Sequence, residues 1–296
     1  MVKITEKNND IIIMGQTDFD LTHIFECGQC FRFDKDETGA YIGTAHGKTV
    51  KISKQDEAVT LHQTSMADYN KIWHSFLDLD RDYSQIKYEL TKNGDPVMKA
   101  AVNCGSGIRI LRQDLWETII SFIISASNNI PRIKKIISLL CTNFGDEHEY
   151  MGNFYHSFPS PEKIASLDIS DLSVIRAGFR DKYILSCARD IVSGKIDLER
   201  IKNSSTADSK SMLMNVSGIG NKVSDCILLF GLNRFNSFPI DVWIKRVMEF
   251  CYFNSEEQSI RTISDFAAER FGDSGGIAQQ YLFFYARENK IGTDKN

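Results

Sequence analysis

Residues 216–241 read VSGIGNKVSDCILLFGLNRFNSFPID and contain the features that decide the fold. Gly218 and Gly220 form a Gly-x-Gly turn, and Lys222 follows two residues later at the start of an apolar-periodic segment. A glycine turn that enters a helix leaves backbone N–H groups unpaired, and these groups suit a phosphate. A lysine in the first turn of that helix can be a nucleophilic amine once its proton is removed. The stretch therefore indicates chemistry on a nucleic-acid backbone.

Asp241 closes the same stretch, nineteen residues after Lys222 and directly after Pro239 and Ile240. An aspartate at this point is suited to cap the helix that VWIKRV begins. A carboxylate brought back beside the lysine can also act as a base or stabilise a developing cation. The two roles are compatible. A solvated lysine behind a structural glycine turn is the alternative, so the rest of the chain has to decide.

The composition is that of a soluble globular protein. The chain has 296 residues, of which 42% are hydrophobic and 25% charged, enough for one large or two ordinary domains. No apolar run approaches ~20 residues, so no transmembrane helix and no membrane partner are expected. The first residues, MVKITEKNNDIIIMG, do not resemble a signal or transit peptide. We expect a cytoplasmic, nucleoid-associated protein if the source is bacterial, and a nuclear location stays open.

Charge and cysteine usage limit the possible partners and cofactors. The net charge is −4, so any DNA binding must come from a local cationic face and helix N-termini. The seven cysteines are an odd number, and we expect reduced thiols. Cys27-x-x-Cys30 has no second pair nearby, and no four-cysteine run follows Cys251, which argues against zinc and against an iron–sulfur cluster. No metal and no cofactor is implied.

The pattern of apolar residues divides the chain into two parts. Strand signals occur at residues 11–13, 30–33, 41–45, 49–53 and 58–62, which predicts an antiparallel meander. Helical periodicity follows near 67–77, 83–92, 115–125, 130–144 and 182–191, whereas 197–210 is polar and predicts a connection. The expected fold class is α+β. Residues 1–105 should form an N-terminal antiparallel β-sheet with helices, and residues 106–296 an all-α domain.

Further residue pairs could form a base-binding pocket. Cys226 lies four residues after Lys222 on one helix face, where its thiol either packs against a planar ligand or belongs to the core. Gln279 and Phe283 are also four apart, and an amide beside an aromatic ring can read and stack a base. Two turns between helices could read a duplex. One is polar and contains Ser127, Asn128, Asn129 and Arg132. The other offers an apolar wedge, Phe179, beside a cation, Arg180.

These segments together resemble a known family. They are CGQCFRF at 27–33, DPVMKAAVNCGSGIRILRQD from 95, SASNNIPRI from 125, GIGNKVSDC at 218–226, PID at 239–241 and GIAQQYLF at 276–283. In this order they resemble the 8-oxoguanine DNA glycosylases of the helix-hairpin-helix superfamily, from about residue 15 to residue 290. The resemblance implies a TATA-binding-protein-like antiparallel domain followed by a helix-hairpin-helix glycosylase domain.

The resemblance also implies a base-excision repair reaction on damaged double-stranded DNA by a monomer without a cofactor. The damaged nucleotide is flipped out of the duplex. Lys222 attacks C1′ and forms a Schiff base, β-elimination then cuts the strand, and Asp241 stabilises the oxocarbenium-like sugar. Gly218 and Gly220 present amides to a phosphate. Phe283 and Cys226 sandwich the base, Gln279 reads its Watson–Crick edge, and the Gly28 carbonyl accepts the N7 proton of 8-oxoguanine.

Four positions depart from the family pattern. Ser217 replaces a proline, Trp243 a histidine, Ser127 the first of three asparagines and Phe179 a tyrosine. The last two concern reading of the opposite base, to which Asn128, Asn129, Arg132 and Arg180 would also contribute. Two alternatives remain at this stage: a helix-hairpin-helix glycosylase for another damaged base, and a non-catalytic module that binds damaged DNA.

Overall fold

The computed structural model describes residues 3–292, and its N-terminal part is one antiparallel sheet. The strand order is β1-β2-β6-β5-β4-β3. The strands are β1 (Lys3–Lys7), β2 (Asp10–Met14), β3 (Phe33–Lys35), β4 (Tyr41–Ala45), β5 (Lys48–Gln55) and β6 (Ala58–His62). Sequential pairing through short turns makes β4, β5 and β6 a meander, as the apolar alternation predicts. The sheet thereby confirms the predicted antiparallel N-terminal domain.

The alternation along each strand explains which face of the sheet is buried. Ile11 and Ile13 on β2 are fully buried, while Ile12 between them is partly exposed. Ile11 pairs with Leu61, which in turn pairs with Ile52 on β5. Apolar residues two apart in each strand therefore meet on one face, as a pleated strand requires.

The strand prediction is wrong at two places. Residues 30–32 are an irregular approach to β3, which begins only at Phe33. β1 was not foreseen, because all five of its residues are exposed and show no apolar alternation. β1 is an edge strand held by its pairing with β2 alone, so its sequence is not constrained by burial.

Helices cover the buried face of the sheet and form the rest of the molecule. They are α1 (Leu21–Phe25), α2 (Met66–Asp68), α3 (His74–Phe76), α4 (Tyr83–Thr91), α5 (Pro96–Cys104), α6 (Leu115–Ser125), α7 (Ile130–Phe144), α8 (Pro161–Ala165), α9 (Asp181–Val192), α10 (Leu198–Asn203), α11 (Thr206–Met214), α12 (Asn221–Leu232), α13 (Val242–Tyr252), α14 (Ile260–Phe271) and α15 (Gly275–Glu288). A π-helical segment, Tyr69–Trp73, joins α2 to α3, and together they match the helix predicted at 67–77.

Helix α6 is the centre of the larger core. Every one of its residues except Glu117 is buried. Helix α12 packs closely against it, because a Cβ at Gly231 would lie only 3.2 Å from the Cβ of Thr118. This contact fixes α12, and with it Lys222, against the most buried element of the fold.

Two parts of the helical region differ from the prediction. The segment 197–210 contains α10 and most of α11 instead of a connection; Asp197 and Ser205 cap these helices through their side chains. A short hairpin, β7 (Glu147–Tyr150) and β8 (Asn153–His156), was not predicted. Its Tyr150 hydroxyl accepts from the Lys51 backbone N–H at 2.9 Å, so the hairpin ties the helical part to the sheet.

The α+β fold class is therefore confirmed. The boundary between residues 105 and 106 stays a prediction, and residues 1–2 and 293–296 of the two predicted ranges lie outside the described residues. Within residues 3–292, no helix is both long and apolar enough to cross a membrane.

Candidate active site

A cavity of about 360 Å³ lies where the loop after α1 and the C-terminal end of α6 meet the N-terminal parts of α7, α12 and α13 and one face of α15. Six residues predicted as catalytic or base-binding line it: Gly28, Lys222, Cys226, Asp241, Gln279 and Phe283. They come from distant parts of the sequence, and the fold brings all of them to one cavity. Asn128 and Asn129 line its rim.

The glycine turn before Lys222 has the geometry expected of a phosphate-binding hairpin. Gly218 has a φ of +91°, and a Cβ there would lie 2.8 Å from the ring of Tyr183, so no other residue fits without a shift. Gly220 caps α12 without any side-chain hydrogen bond, and nothing lies within 4 Å of its Cβ position. The first N–H groups of α12 therefore have no side-chain cap, which leaves them suited to a phosphate.

Lys222 extends from the first turn of α12 into the cavity. Its Nζ lies 5.5 Å from the centroid of the Phe122 ring, on α6. Cys226 follows one turn later and is buried. Burial raises the pKa of the Cys226 thiol to about 11, although the nearby charge of Lys222 opposes this. Cys226 is therefore a neutral thiol at physiological pH, able to pack against a planar ligand.

Asp241 caps α13 and lies close enough to interact with Lys222. Its carboxylate accepts a hydrogen bond from the Ile244 N–H at 2.8 Å, which confirms the predicted cap. Burial raises the pKa of the carboxyl group above its usual range; the Ile244 hydrogen bond and the charge of Lys222 act in the opposite direction. A carboxylate held in this way is placed to stabilise positive charge near the lysine.

Gly28 and Phe283 pack against each other in the wall of the cavity. Gly28 has a φ of +77°, and a Cβ there would lie 3.3 Å from Cε1 of Phe283. The neighbouring Gln29 fixes the loop: its amide donates to the carbonyls of Ile24 at 2.8 Å and Arg109 at 2.7 Å and accepts from the Leu111 N–H at 2.8 Å. The position of the Gly28 backbone is therefore set by a fully bonded buried amide.

The first predicted duplex-reading turn lies beside the cavity. Ser127 adopts a φ of +49°, and the Asn128 amide donates to the Ile124 carbonyl at 3.1 Å. Asn129 caps α7 by accepting from the Arg132 N–H. The Arg132 side chain is exposed and therefore available to DNA.

In the second predicted duplex-reading turn, Phe179 is exposed as expected, whereas Arg180 is buried. Phe179 is 58% exposed, as an apolar wedge would be. Arg180 is only 3% exposed, and its guanidinium donates to the carbonyls of Ala126, Ser127 and Ala177. Arg180 thus joins the two turns in this structure, while its reading of an opposite base stays a prediction. Burial lowers its pKa, and the nearby Arg132 adds to this, so the two cations lie close together.

Several cavity residues were not singled out from the sequence as pocket residues. They include Phe122, Gln280 and Arg287. Arg287 follows Phe283 by four residues on α15, so helical spacing could have indicated it. The sequence did not distinguish Phe122 as a pocket residue, because nearly every residue of α6 is buried and no single face of the helix stands out. Among residues 3–292, no three His, Cys, Asp or Glu side chains are grouped so as to hold a metal ion.

Comparison with known families agrees with this geometry. Residues 11–119 match the model of the 8-oxoguanine DNA glycosylase N-terminal domain, and residues 120–270 match the HhH-GPD superfamily of base excision DNA repair proteins. The chain belongs to the 8-oxoguanine DNA glycosylase family. The predicted resemblance and the predicted fold are thereby confirmed.

Relatives in this family cover most of the chain. An N-glycosylase/DNA lyase of Saccharomyces cerevisiae is 33% identical over 266 residues, which is 81% of this chain and 70% of that protein. A Clostridium acetobutylicum 8-oxoguanine glycosylase/lyase is 41% identical to this chain, with a TM-score of 0.94. The match covers 98% of this chain and 99% of that one, which was solved with double-stranded DNA containing cytosine opposite 8-oxoG. MBOgg1, solved with a low-affinity DNA ligand, is 43% identical with a TM-score of 0.95 and the same coverage. The family members favour the main interpretation over the two alternatives.

Proposed function

We propose that this protein is a base-excision repair enzyme that removes 8-oxoguanine from duplex DNA and then cleaves the strand at the resulting site. The observation that carries the proposal is the convergence of Lys222, Asp241, Cys226 and Phe283 on one cavity. A nucleophile, an anionic stabiliser and an aromatic face for a planar ring are the parts that excision of a flipped base requires.

The reaction can be written from these residues. The lone pair of the Lys222 nitrogen forms a bond to C1′ as the bond from C1′ to N9 breaks, and the electron pair leaves with the base, which takes up the proton that the attached nitrogen loses. Asp241 stabilises the positive charge that develops on the sugar. The nitrogen then forms a double bond to C1′ as the bond from C1′ to the ring oxygen O4′ breaks and O4′ takes up a proton, which gives a Schiff base on Lys222. Loss of a proton from C2′ then breaks the bond from C3′ to its oxygen and cuts the strand.

The residues that line the cavity account for recognition of the base. A ring that enters between Phe283 and Cys226 stacks on the aromatic face on one side and contacts a neutral, polarizable thiol on the other. The Gly28 carbonyl supplies an acceptor for N7–H, a proton that guanine lacks. Gln279 lies on the same helix as Phe283 and is suited to read the Watson–Crick edge.

DNA binding at a net charge of −4 must rely on local features. The uncapped amides after Gly220 suit a backbone phosphate, and Arg132 with Arg180 makes a cationic region beside the exposed wedge Phe179. Double-stranded DNA is therefore the partner. The proposal includes a monomer without a cofactor or a membrane partner, located in the cytoplasm and on the nucleoid if the source is bacterial, with a nuclear location open otherwise.

The decisive experiment is borohydride trapping on a duplex with one 8-oxoguanine opposite cytosine. Free base, a covalent protein–DNA adduct and a cut strand are expected together. Base release without an adduct would mean that water, not an amine, is the nucleophile. Binding without base release would favour the non-catalytic module, and release only of alkylated bases would favour a different glycosylase.

A further inference from the structure

Two neighbouring glutamines on α15 form a hydrogen-bonded amide pair at the cavity. Gln279 is 4% exposed and Gln280 is 3% exposed, and both line the cavity. The Gln280 Nε2 donates to the Gln279 Oε1 at 2.8 Å. The Gln280 Oε1 is buried and has no hydrogen-bond partner in the described part of the chain.

An unpaired buried amide oxygen is unfavourable, because it has lost its hydrogen bonds to water and gained none in return. An apolar side chain of similar size would avoid this loss. Gln280 lines the cavity, but its Oε1 has almost no accessible surface, so a ligand there can supply the missing donor when the amide turns toward it. The unpaired acceptor therefore points to a ligand contact in addition to that of Gln279.

The arrangement of the pair restricts what the ligand can be. Gln279 Oε1 already accepts one hydrogen bond from Gln280, which fixes the Gln279 amide with its NH₂ group free to donate. The pair then offers a donor on Gln279 and two acceptors, the remaining lone pair of Gln279 Oε1 and the Gln280 Oε1. The Watson–Crick edge of an oxidised guanine offers the complementary set: the O6 acceptor, the N1–H donor and the exocyclic amine donor.

We propose that Gln280 is a second base-reading residue, whose Oε1 accepts a hydrogen bond from the exocyclic amine of 8-oxoguanine while its NH₂ group orients Gln279. The proposal rests on the proposed function. It makes the site selective for a purine that has a 2-amino group. Gly28 distinguishes the oxidised from the normal base at N7, whereas Gln280 acts at the opposite edge of the ring.

Two base analogues separate this role from simple packing. 8-Oxohypoxanthine keeps N7–H, O8, O6 and N1–H and lacks only the exocyclic amine. Single-turnover release of 8-oxoguanine and 8-oxohypoxanthine, each opposite cytosine, measures the contribution of the amine directly. Cleavage of a preformed abasic site, which has no base to read, reports whether the catalytic machinery is intact.

The variants are Gln280→Met, which keeps the length and removes both polar atoms, and Gln280→Glu, which keeps an acceptor. Gln85→Met, on the exposed surface of α4, is the matched control. The native protein should release 8-oxoguanine roughly tenfold faster than 8-oxohypoxanthine, as expected for one ligand hydrogen bond to a buried acceptor. Gln280→Met should bring this ratio close to one. Gln280→Glu keeps an acceptor for the exocyclic amine but loses the NH₂ donor that orients Gln279, so it should retain most of the ratio while the release of both bases becomes slower. Abasic-site cleavage should be unchanged in all variants.

Three results would overturn the inference. The ratio in the native protein could already be one, or Gln280→Met could leave it unchanged, and either would mean that Gln280 does not read the amine. Equal losses of base release and abasic-site cleavage in Gln280→Met would show a structural role. If the proposed function itself were wrong, the native protein would release neither 8-oxoguanine nor 8-oxohypoxanthine, which is distinct from all three of these results.

Discussion

Gly28 and Phe283 are in contact across the cavity, so that a side chain at position 28 would lie 3.3 Å from Cε1 and 3.5 Å from Cζ of the ring. Gly28 belongs to the loop after α1, and Phe283 belongs to α15 at the other end of the chain. This contact therefore joins two elements that meet only when the sheet-containing part and the helical part are packed together.

The first prediction concerns this contact. Gly28→Ala should lower the single-turnover rate of 8-oxoguanine release by about tenfold or more, because the methyl group crowds the Phe283 ring and moves the Gly28 carbonyl. A positive φ also costs an alanine about 1–2 kcal/mol of stability. The matched control is Gly47→Ala, whose φ is +74° and whose Cβ would meet nothing within 4 Å, so that it introduces the same backbone strain away from the cavity. Equal activity of the two variants would contradict a role of this contact in base release.

The nucleophile is tested by Lys222→Gln. The amide roughly preserves the shape of the side chain and cannot form a Schiff base, so base release and borohydride trapping should both be lost while binding of damaged duplex remains. Lys202→Gln, an exposed lysine paired with Glu199, serves as the control and should be fully active. Trapping at native yield by Lys222→Gln would identify another amine as the nucleophile.

Replacing Asp241 by asparagine should lower the activity and raise the stability of the protein. Asparagine can keep the cap on α13, since its side-chain oxygen also accepts from the Ile244 N–H. Asp241→Asn should nevertheless lower base release about 100-fold or more, because a neutral amide cannot stabilise the sugar cation. The same substitution should raise Tm by about 1–3 °C at neutral pH, because it removes the cost of a buried negative charge. Thermal unfolding and single-turnover kinetics measure both effects, and Asp225→Asn, at a partly buried carboxylate of α12 that pairs with Lys210, is the activity control.

The raised pKa of Asp241 also predicts a pH dependence. Its folded pKa lies above its unfolded value, so the folded state binds more protons between the two values and the contribution of Asp241 to stability decreases as pH rises through this window. Activity changes in the opposite direction, because the ionised form is needed. The rate of base release should therefore fall on acidification at a pH above the usual range of an aspartate, and this acid limb should disappear from the residual activity of Asp241→Asn.

The sequence alone predicted the parts of the site that follow local rules. The glycine turn, Lys222 in the first turn of α12 and Asp241 as a cap all depend on neighbours in sequence, and they are where they were expected. The prediction was less complete for elements whose structure depends on contacts with residues far away in the sequence. The hairpin β7–β8 has no apolar alternation, and it is held in part by hydrogen bonds to strands far away in the sequence.

Arg180 and Gln280 show the same limit at the level of side chains. An arginine after an exposed aromatic residue suggests a free cation, and only the fold shows three carbonyl groups around it. Gln280 follows Gln279 in the sequence and gives no periodic signal of its own. Its unpaired oxygen becomes visible only when α15 is packed against its neighbours.

The last prediction concerns the base opposite the lesion. We expect 8-oxoguanine opposite cytosine to be processed best, with a shallower preference than in a family member that has tyrosine and asparagine in place of Phe179 and Ser127. Arg132 is exposed and can donate to the acceptors of cytosine, and such a pair discriminates by about 1–3 kcal/mol. Arg132→Ala should therefore reduce the differences among the four opposite bases while leaving Tm nearly unchanged.

Arg180 should behave differently, because its guanidinium is bonded inside the protein. Arg180→Ala leaves the carbonyls of Ala126, Ser127 and Ala177 without their donors, and we expect a loss of about 3 kcal/mol in the free energy of unfolding. Arg180→Lys keeps the charge and loses the planar fork, so it should recover little of this stability. Single-turnover rates opposite each of the four bases, measured below the Tm of each variant, separate the two arginines. If Arg180→Ala changed the base preference as much as Arg132→Ala and left Tm unaffected, Arg180 would have to leave its carbonyl partners and read the base directly.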